Sequence, residues 1–482
     1  MELKIHVPEV KINLDPHKME DAFSMLIVSQ IHRGLLRFDS QGNIAADLAE
    51  KWTESKDKLK YKFQLRKRTF SNGKPVTSKN VQMSFARLFH LEAGIAADVD
   101  YIKGATEFQK TKDISKLGIK PISDTEIEFE LSQPSALFLK HIAVVDCAIL
   151  PIENFDSELD LSATGAFSGP FKVVSITENK IFNLEKWRSD ELDSAAPPER
   201  VKIFMTNDDS LKLAASGETD SLDREPVSAA KISELQKLGW GAVPSEITSE
   251  TFVILNPANV PLEARRTLFS LTDANKIVEL IGDKSFKAAF GLIPIGFSGV
   301  LAENDVASLK KESQGTYKGP KVSFKLDFEA SSEAEKKSAE HLQKLWSSPK
   351  IEVVLNPLSK SDKLQRMFSK KSEAVIGRKG VDYPDGFSVL TYFKGKYSAN
   401  YFHVNDPKID EAIAESLREF NQAKRDEDYK KIQIEILKHF TNIPLFFGSQ
   451  ASGLWSKKVK SVPSHPMGFH TMQLETIEMR AQ

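Results

Sequence analysis

A single cysteine in 482 residues, Cys147, excludes an internal disulfide. It lies in the apolar run 142–150 and reads as a buried structural thiol, not a reactive one. Excess charge of either sign is also missing. The 66 basic and 67 acidic residues are interspersed and leave a net charge of −1. A nucleic-acid binder carries a basic surplus or stripe, so that class is excluded. No stretch reaches the roughly 18 apolar residues of a membrane-spanning helix. Catalytic signatures are absent too. Ser298 sits in Gly296-Phe-Ser-Gly299, but Val300 takes the last glycine of G-x-S-x-G, and Ser168 lacks the first. No histidine is followed by glutamate, and neither Gly73-Lys74 nor Gly395-Lys396 continues into a phosphate loop. The one close histidine pair, His465 and His470, has no cysteine or carboxylate triad beside it and reads as loop histidines. No enzyme activity, metal or cofactor is therefore expected. There are no repeats or low-complexity tracts.

What is present is a globular composition, 40% hydrophobic and 28% charged, with a length that predicts about three domains. The head of the chain is its most informative stretch. Tyr61, Phe63 and Leu65 alternate with Lys60, Lys62, Gln64 and Arg66, the period of a half-buried strand. Ser71-Asn-Gly-Lys-Pro75 is turn chemistry, and Thr77 or Ser78 caps a helix bearing Val81, Phe85, Leu88 and Phe89 on one face. A second amphipathic strand, Thr125-Glu-Ile-Glu-Phe-Glu-Leu131, offers an acidic row that can pair with the basic row of the first. Residues 21–34 predict a short helix with Gly34 as its stop; Glu20 and Asp21 fit helix-start charges at least as well as a ligand role. Further along, Thr251-Phe-Val-Ile-Leu-Asn256 reads as a buried strand. From Lys321 a strand–helix–strand unit follows, and Ile443-Pro-Leu-Phe-Phe447 is another strand.

The order of several short words carries a resemblance. Leu14-Asp15-Pro16 comes first, then Gly34-Leu35 with Asp39 and Gly42, Leu48-Ala49 with Trp52, and Leu65-Arg66 through Pro75-Val76-Thr77. Gly169-Pro170-Phe171, Trp187, Ser216-Gly-Glu-x-Asp220 and the Asp382-Tyr383 pair follow in sequence. In this the chain resembles the oligopeptide- and dipeptide-binding proteins of bacterial ABC importers, the extracellular solute-binding family 5. Two departures stand out. Lys79-Asn80 replaces the acidic pair at a helix start, which predicts a somewhat weaker start. Lys379 takes a position that is tryptophan in the family.

The resemblance implies an α/β, two-lobed periplasmic-binding-protein fold of type II, in the large cluster with an extra inserted domain. Its segments are expected at 1–40, 164–250 and 448–482 for the first lobe, 41–163 for the inserted domain and 251–447 for the second lobe. It also implies a peptide ligand enclosed between the lobes, delivery to a membrane-embedded ABC permease, a periplasmic location, a monomer, and an export signal already removed ahead of the strand-like start. Carried over by position, the ligand-binding residues are Glu20 and Ala22 from the first lobe. Arg378 and Gly380 contribute backbone, and Asp382 takes the ligand ammonium. Asp382 also reads as a turn-stabilising side chain before Tyr-Pro-Asp-Gly, and the resemblance favours the ligand role over it. Lys379 joins the list because a cation there favours acidic over bulky apolar ligand side chains. The other function kept open is the same fold adapted as a sensor, a metal-complex binder or a peptidase. Hydrolysis of a peptide pool would distinguish the last of these.

Overall fold

Leu3, Ile5 and Val7 are buried and alternate with half-buried Glu2, Lys4 and His6, so the chain begins as a strand, Glu2–Val7. The computed structural model describes residues 1–19, 21–222, 229–242, 248–395, 400–448, 453–463, 468 and 471–481; Glu20, His465 and His470 lie outside them. Residue contacts divide the chain into two compact units, Met1–Glu246 with Gln450–Gln482, and Ile247–Ser449.

In the first unit, Glu2–Val7 lies inside a seven-stranded sheet, parallel to Arg200–Met205 from Glu2↔Arg200 to Val7↔Met205. Ile181–Lys186 and Phe171–Thr177 continue the sheet antiparallel on that side. Ser221–Leu222, Leu454–Trp455 and Gly241–Ala242 complete the other. The helix Ala22–Ile31 buries Leu26, Ile27 and Ile31 in the same core as Leu3, Phe171, Val201, Leu474 and Ile477. It closes at Ile31, three residues before the expected glycine, where His32 turns to extended backbone (φ −128°, ψ 152°) while its N–H still bonds the Val28 carbonyl.

A separate four-stranded sheet runs in the order Ala49–Glu54, Lys60–Leu65, Glu126–Glu130, Ile119–Ser123. The expected charge rows meet there. Lys62 pairs with Glu126 at 3.5 Å and Lys60 with Glu128 at 3.8 Å, each one step diagonal to the Lys62↔Glu128 register. The helix Ser78–His90 lays Val81, Phe85, Leu88 and Phe89 beneath, with Phe85 edge-on to Phe129 at 5.0 Å. Its start is not weakened by the loss of acidic residues. Thr77 accepts from the Asn80 N–H at 3.3 Å, and Asn80 Oδ1 accepts from the Thr77 N–H at 2.9 Å. Asn80 thus takes the reciprocal role that glutamate usually fills in a capping box.

The signature words turn out to be internal locks. Asp15, of Leu-Asp-Pro, accepts two hydrogen bonds from Arg87 (2.8 and 2.6 Å) on the Ser78–His90 helix. His17 Nδ1 stands 3.0 Å from the same guanidinium. Arginine only donates, so that nitrogen carries no proton and His17 is neutral. Gly169, of Gly-Pro-Phe, donates to the Ile31 carbonyl at 2.8 Å. A Cβ on Gly169 would meet the Gln30 carbonyl oxygen and lie 2.6 Å from the Ile31 carbonyl carbon. Backbone cannot yield as a side-chain tip does. Gly169→Ala is therefore expected to cost about 1–3 kcal/mol, the usual penalty of overpacking. Urea unfolding checks this, and an unchanged midpoint would show that the helix end moves aside freely.

The second unit is contiguous. Its six-stranded sheet runs Lys287–Ala288, Asn442–Gly448, Ser249–Leu255, Ala374–Gly380, Val322–Glu329, Ile351–Leu358. The predicted strand–helix–strand is the last pair, parallel from Val322↔Ile351, joined by Glu333–Trp346 with Leu342 and Trp346 buried. Among the described residues, no helix is long and apolar enough to cross a membrane.

Candidate functional site

The strand Ala374–Gly380 collects most of the residues singled out from the sequence. Along one side it pairs antiparallel with Ser249–Leu255 over its whole length, from Leu255↔Ala374 to Ser249↔Gly380. On the other side its parallel register with Val322–Glu329 covers Ala374 and Val375. Residues 376–380 therefore run past the end of that register. Phe252, opposite Gly377, explains why the strand is small there, since a Cβ on Gly377 would lie 2.6 Å from the Phe252 ring.

Arg378 is exposed and donates from Nε to Ser249 Oγ at 2.9 Å; Ser249 in turn donates to the Gly448 carbonyl at 2.9 Å. This ties three adjacent strands at one end. Gly380, half-buried, is the last strand residue, and Val381 continues the ladder by donating to the Thr248 carbonyl at 3.0 Å.

Lys379 and Asp382 were each expected to face a ligand, and they face each other. Lys379 Nζ lies 3.0 and 3.1 Å from the two carboxylate oxygens of Asp382 and 2.7 Å from the Tyr392 hydroxyl. The Tyr392 hydroxyl donates to Asp382 Oδ2 at 2.7 Å, and the ammonium sits 4.0 Å from the centroid of the Tyr392 ring. Among the described residues no backbone N–H of the following turn donates to Asp382; Asp385 takes that place, accepting from the Phe387 N–H at 3.0 Å and the Tyr429 hydroxyl at 2.9 Å. On the first unit, Ala22 is the half-buried first residue of the helix Ala22–Ile31. Asp21 is that helix's N-cap, accepting from the N–H groups of Phe23 and Ser24, which fulfils the helix-start reading. Glu20 lies outside the described residues.

Sequence reasoning missed Glu250. It stands directly across from Lys379, 2% exposed, and its Oε1 has no hydrogen-bond partner among the described residues. Burial pushes its carboxyl well above the usual range. The same face carries Phe252, which meets Phe402 at 5.2 Å; Phe402 stacks on Phe393 at 4.3 Å and touches Tyr401 at 4.4 Å. Burial, then the nearby Asp382 and Glu250, push the Tyr401 hydroxyl up. An acidic residue immediately before an apolar strand was the available signal. Cys147 is buried, and burial raises its thiol well above its ordinary value. Among the described residues no three His, Cys, Asp or Glu side chains gather as a metal site would require.

Two α/β units, the second contiguous and entered and left once from the first, define a two-lobed binding-protein fold. The chain belongs to the bacterial extracellular solute-binding proteins of family 5, whose middle-region model matches residues 43–401. It is similar to the oligopeptide-binding protein OppA of Bacillus subtilis, 24% identical over 92% of this chain and 87% of that one. In fold it is similar to the murein tripeptide binding protein MppA of Escherichia coli, with a TM-score of 0.82, 18% identity and coverage of 100% and 99%. The Haemophilus influenzae OppA solved in complex with RPPGFSPFR gives a TM-score of 0.79 at 19% identity, covering 99% of this chain and 98% of that one.

Proposed function

We propose that this chain is an extracytoplasmic, periplasmic solute-binding protein that captures peptides and delivers them to a membrane-embedded ABC permease. It works as a monomer, without cofactor and without catalysing a reaction. The observation that carries this reading is the strand Ala374–Gly380, which outruns its parallel neighbour and ends in a charged cluster. A strand end of this kind suits an extended ligand, whose backbone can pair with it whatever its side chains. Arg378 and Gly380 supply that backbone, the Lys379–Asp382–Tyr392 cluster meets one end of the ligand, and Glu20 and Ala22 are the share of the first unit. The names of the relatives, oligopeptide-binding and murein tripeptide binding, support a peptide as the solute. We read 41–163 as an inserted domain built on the four-stranded sheet, and 1–40, 164–250 and 448–482 as the lobe built on the seven-stranded one. The second lobe is 251–447.

Native mass spectrometry after incubation with a tryptic digest should show adducts of peptide mass that are released intact on denaturation. Release of fragments shorter than those supplied would instead mark a peptidase. A spectrum without peptide adducts would remove the peptide reading.

A further inference from the structure

Lys379, Asp382 and Tyr392 together have the make-up of an ammonium-recognition site: a carboxylate, a phenol oxygen and an aromatic face around one cation. In this chain the cation is already present. The Lys379 ammonium spends its donors on Asp382 Oδ1, Asp382 Oδ2 and the Tyr392 hydroxyl, at 3.0, 3.1 and 2.7 Å. The carboxylate also accepts a hydrogen bond from the Tyr392 hydroxyl at 2.7 Å. Lys379 is the more enclosed partner, with its side chain 18% exposed against 40% for Asp382. It is tethered three residues away, so an incoming ammonium competes with an intramolecular one at high effective concentration. The incoming group would also meet a cluster of net charge zero, with a like charge at its centre. The carboxyl directly across from Lys379, Glu250, has no hydrogen-bond partner at Oε1 among the described residues, and burial raises it, which disfavours its charged form.

We infer that Lys379 is a specificity-determining residue that fills the ammonium position itself, so that the ligand end meeting this cluster carries no free amino group. The ligand class is then a peptide whose amino terminus is acylated or otherwise uncharged. This rests on the peptide reading above and narrows it.

The test offers the purified protein an equimolar mixture of random pentapeptides in two forms, free and N-acetylated, and reads the bound fraction by native mass spectrometry. The wild type should hold the acetylated form at least as abundantly as the free one. Lys379→Met vacates the ammonium position while keeping the aliphatic stem, and should shift the bound ratio at least tenfold toward free amino termini. Lys379→Arg restores a cation and should return the ratio toward that of the wild type, which a merely structural role would not require. A wild type that holds free termini tenfold or more over acetylated ones overturns the inference, as does a Lys379→Met protein with an unchanged ratio. Failure of the wild type to hold either form would overturn the peptide reading and the inference with it, an outcome distinct from the other two.

Discussion

Asp15→Ala should destabilise the first unit by about 3–5 kcal/mol, the cost of leaving one member of a buried ion pair alone. Arg87 is almost fully buried and makes two of its hydrogen bonds to Asp15, at 2.8 and 2.6 Å. Removing the carboxylate strands the guanidinium with His17 Nδ1 at 3.0 Å and the Ser157 carbonyl at 3.2 Å. Hydrogen exchange is the appropriate measurement, because the second unit serves as an internal control. Amides of the helix Ser78–His90 should lose most of their protection, while those of Val322–Glu329 keep theirs. Equal loss in both units would mean that the pair stabilises something other than its own unit. The effect also has a pH signature. Burial alone would raise the Asp15 carboxyl, but hydrogen bonding and charge from Arg87 outweigh it and hold the group below its ordinary value of 3.8. A carboxylate lowered in the folded state contributes stability above its unfolded pKa and loses it as pH falls through the folded one. The difference between wild type and Asp15→Ala should therefore shrink below about pH 4.

His32→Leu should make the protein resist acid better than the wild type. His32 is fully buried against Phe167, at 5.6 Å between ring centroids, and neither ring nitrogen has a hydrogen-bond partner among the described residues. Burial lowers it from 6.5 to about 4, a little offset by the negative charge of Asp15. A histidine lowered in the folded state is neutral there while the unfolded chain takes up a proton. Its contribution is complete above pH 6.5 and is lost as pH falls toward 4. The full loss is roughly 3 kcal/mol, of which about 2 kcal/mol has gone by pH 5. Leucine is close to histidine in volume and carries no titrating group, so the variant escapes this loss. Asp47 acts in the opposite sense, since burial raises it to about 7 and its contribution fades as pH rises. That term is common to both proteins and cancels in their difference. Urea unfolding of the two at pH 7.5 and pH 5 decides the matter. Parallel losses would show that His32 is hydrated in the folded state.

The elements were legible where their causes are local. The alternation at Lys60–Leu65, the Asp21 and Thr77 caps and the strand–helix–strand after Lys321 depend on residues within a few positions of one another. The reasons behind the signature words were not legible, because their partners are remote: Asp15 meets Arg87 72 residues later, and Gly169 exists for the backbone of Ile31. A short word in one sequence shows that a residue belongs there without showing what it touches. The candidate site is a different case. Lys379 and Asp382 are three positions apart, and their pairing could have been suspected from spacing alone. Treating each as the occupant of a separate role hid the contact between them. Glu250 escaped because the strand was read from Thr251, two residues too late.

The Arg33 guanidinium is neutralised by Glu475, 442 residues further on, and the sheet around Glu2–Val7 takes in Leu454–Trp455. The second unit, by contrast, is one uninterrupted stretch, Ile247–Ser449. A chain made from its amino terminus onward thus completes all the strands of its second unit while its first still lacks an interior strand and a buried counter-ion. Contacts of such sequence separation form slowly, since a long loop must close before they give any return. The part of the molecule synthesised first is consequently the part that finishes folding last, and its exposed apolar sheet is the surface a chaperone would meet in the interval.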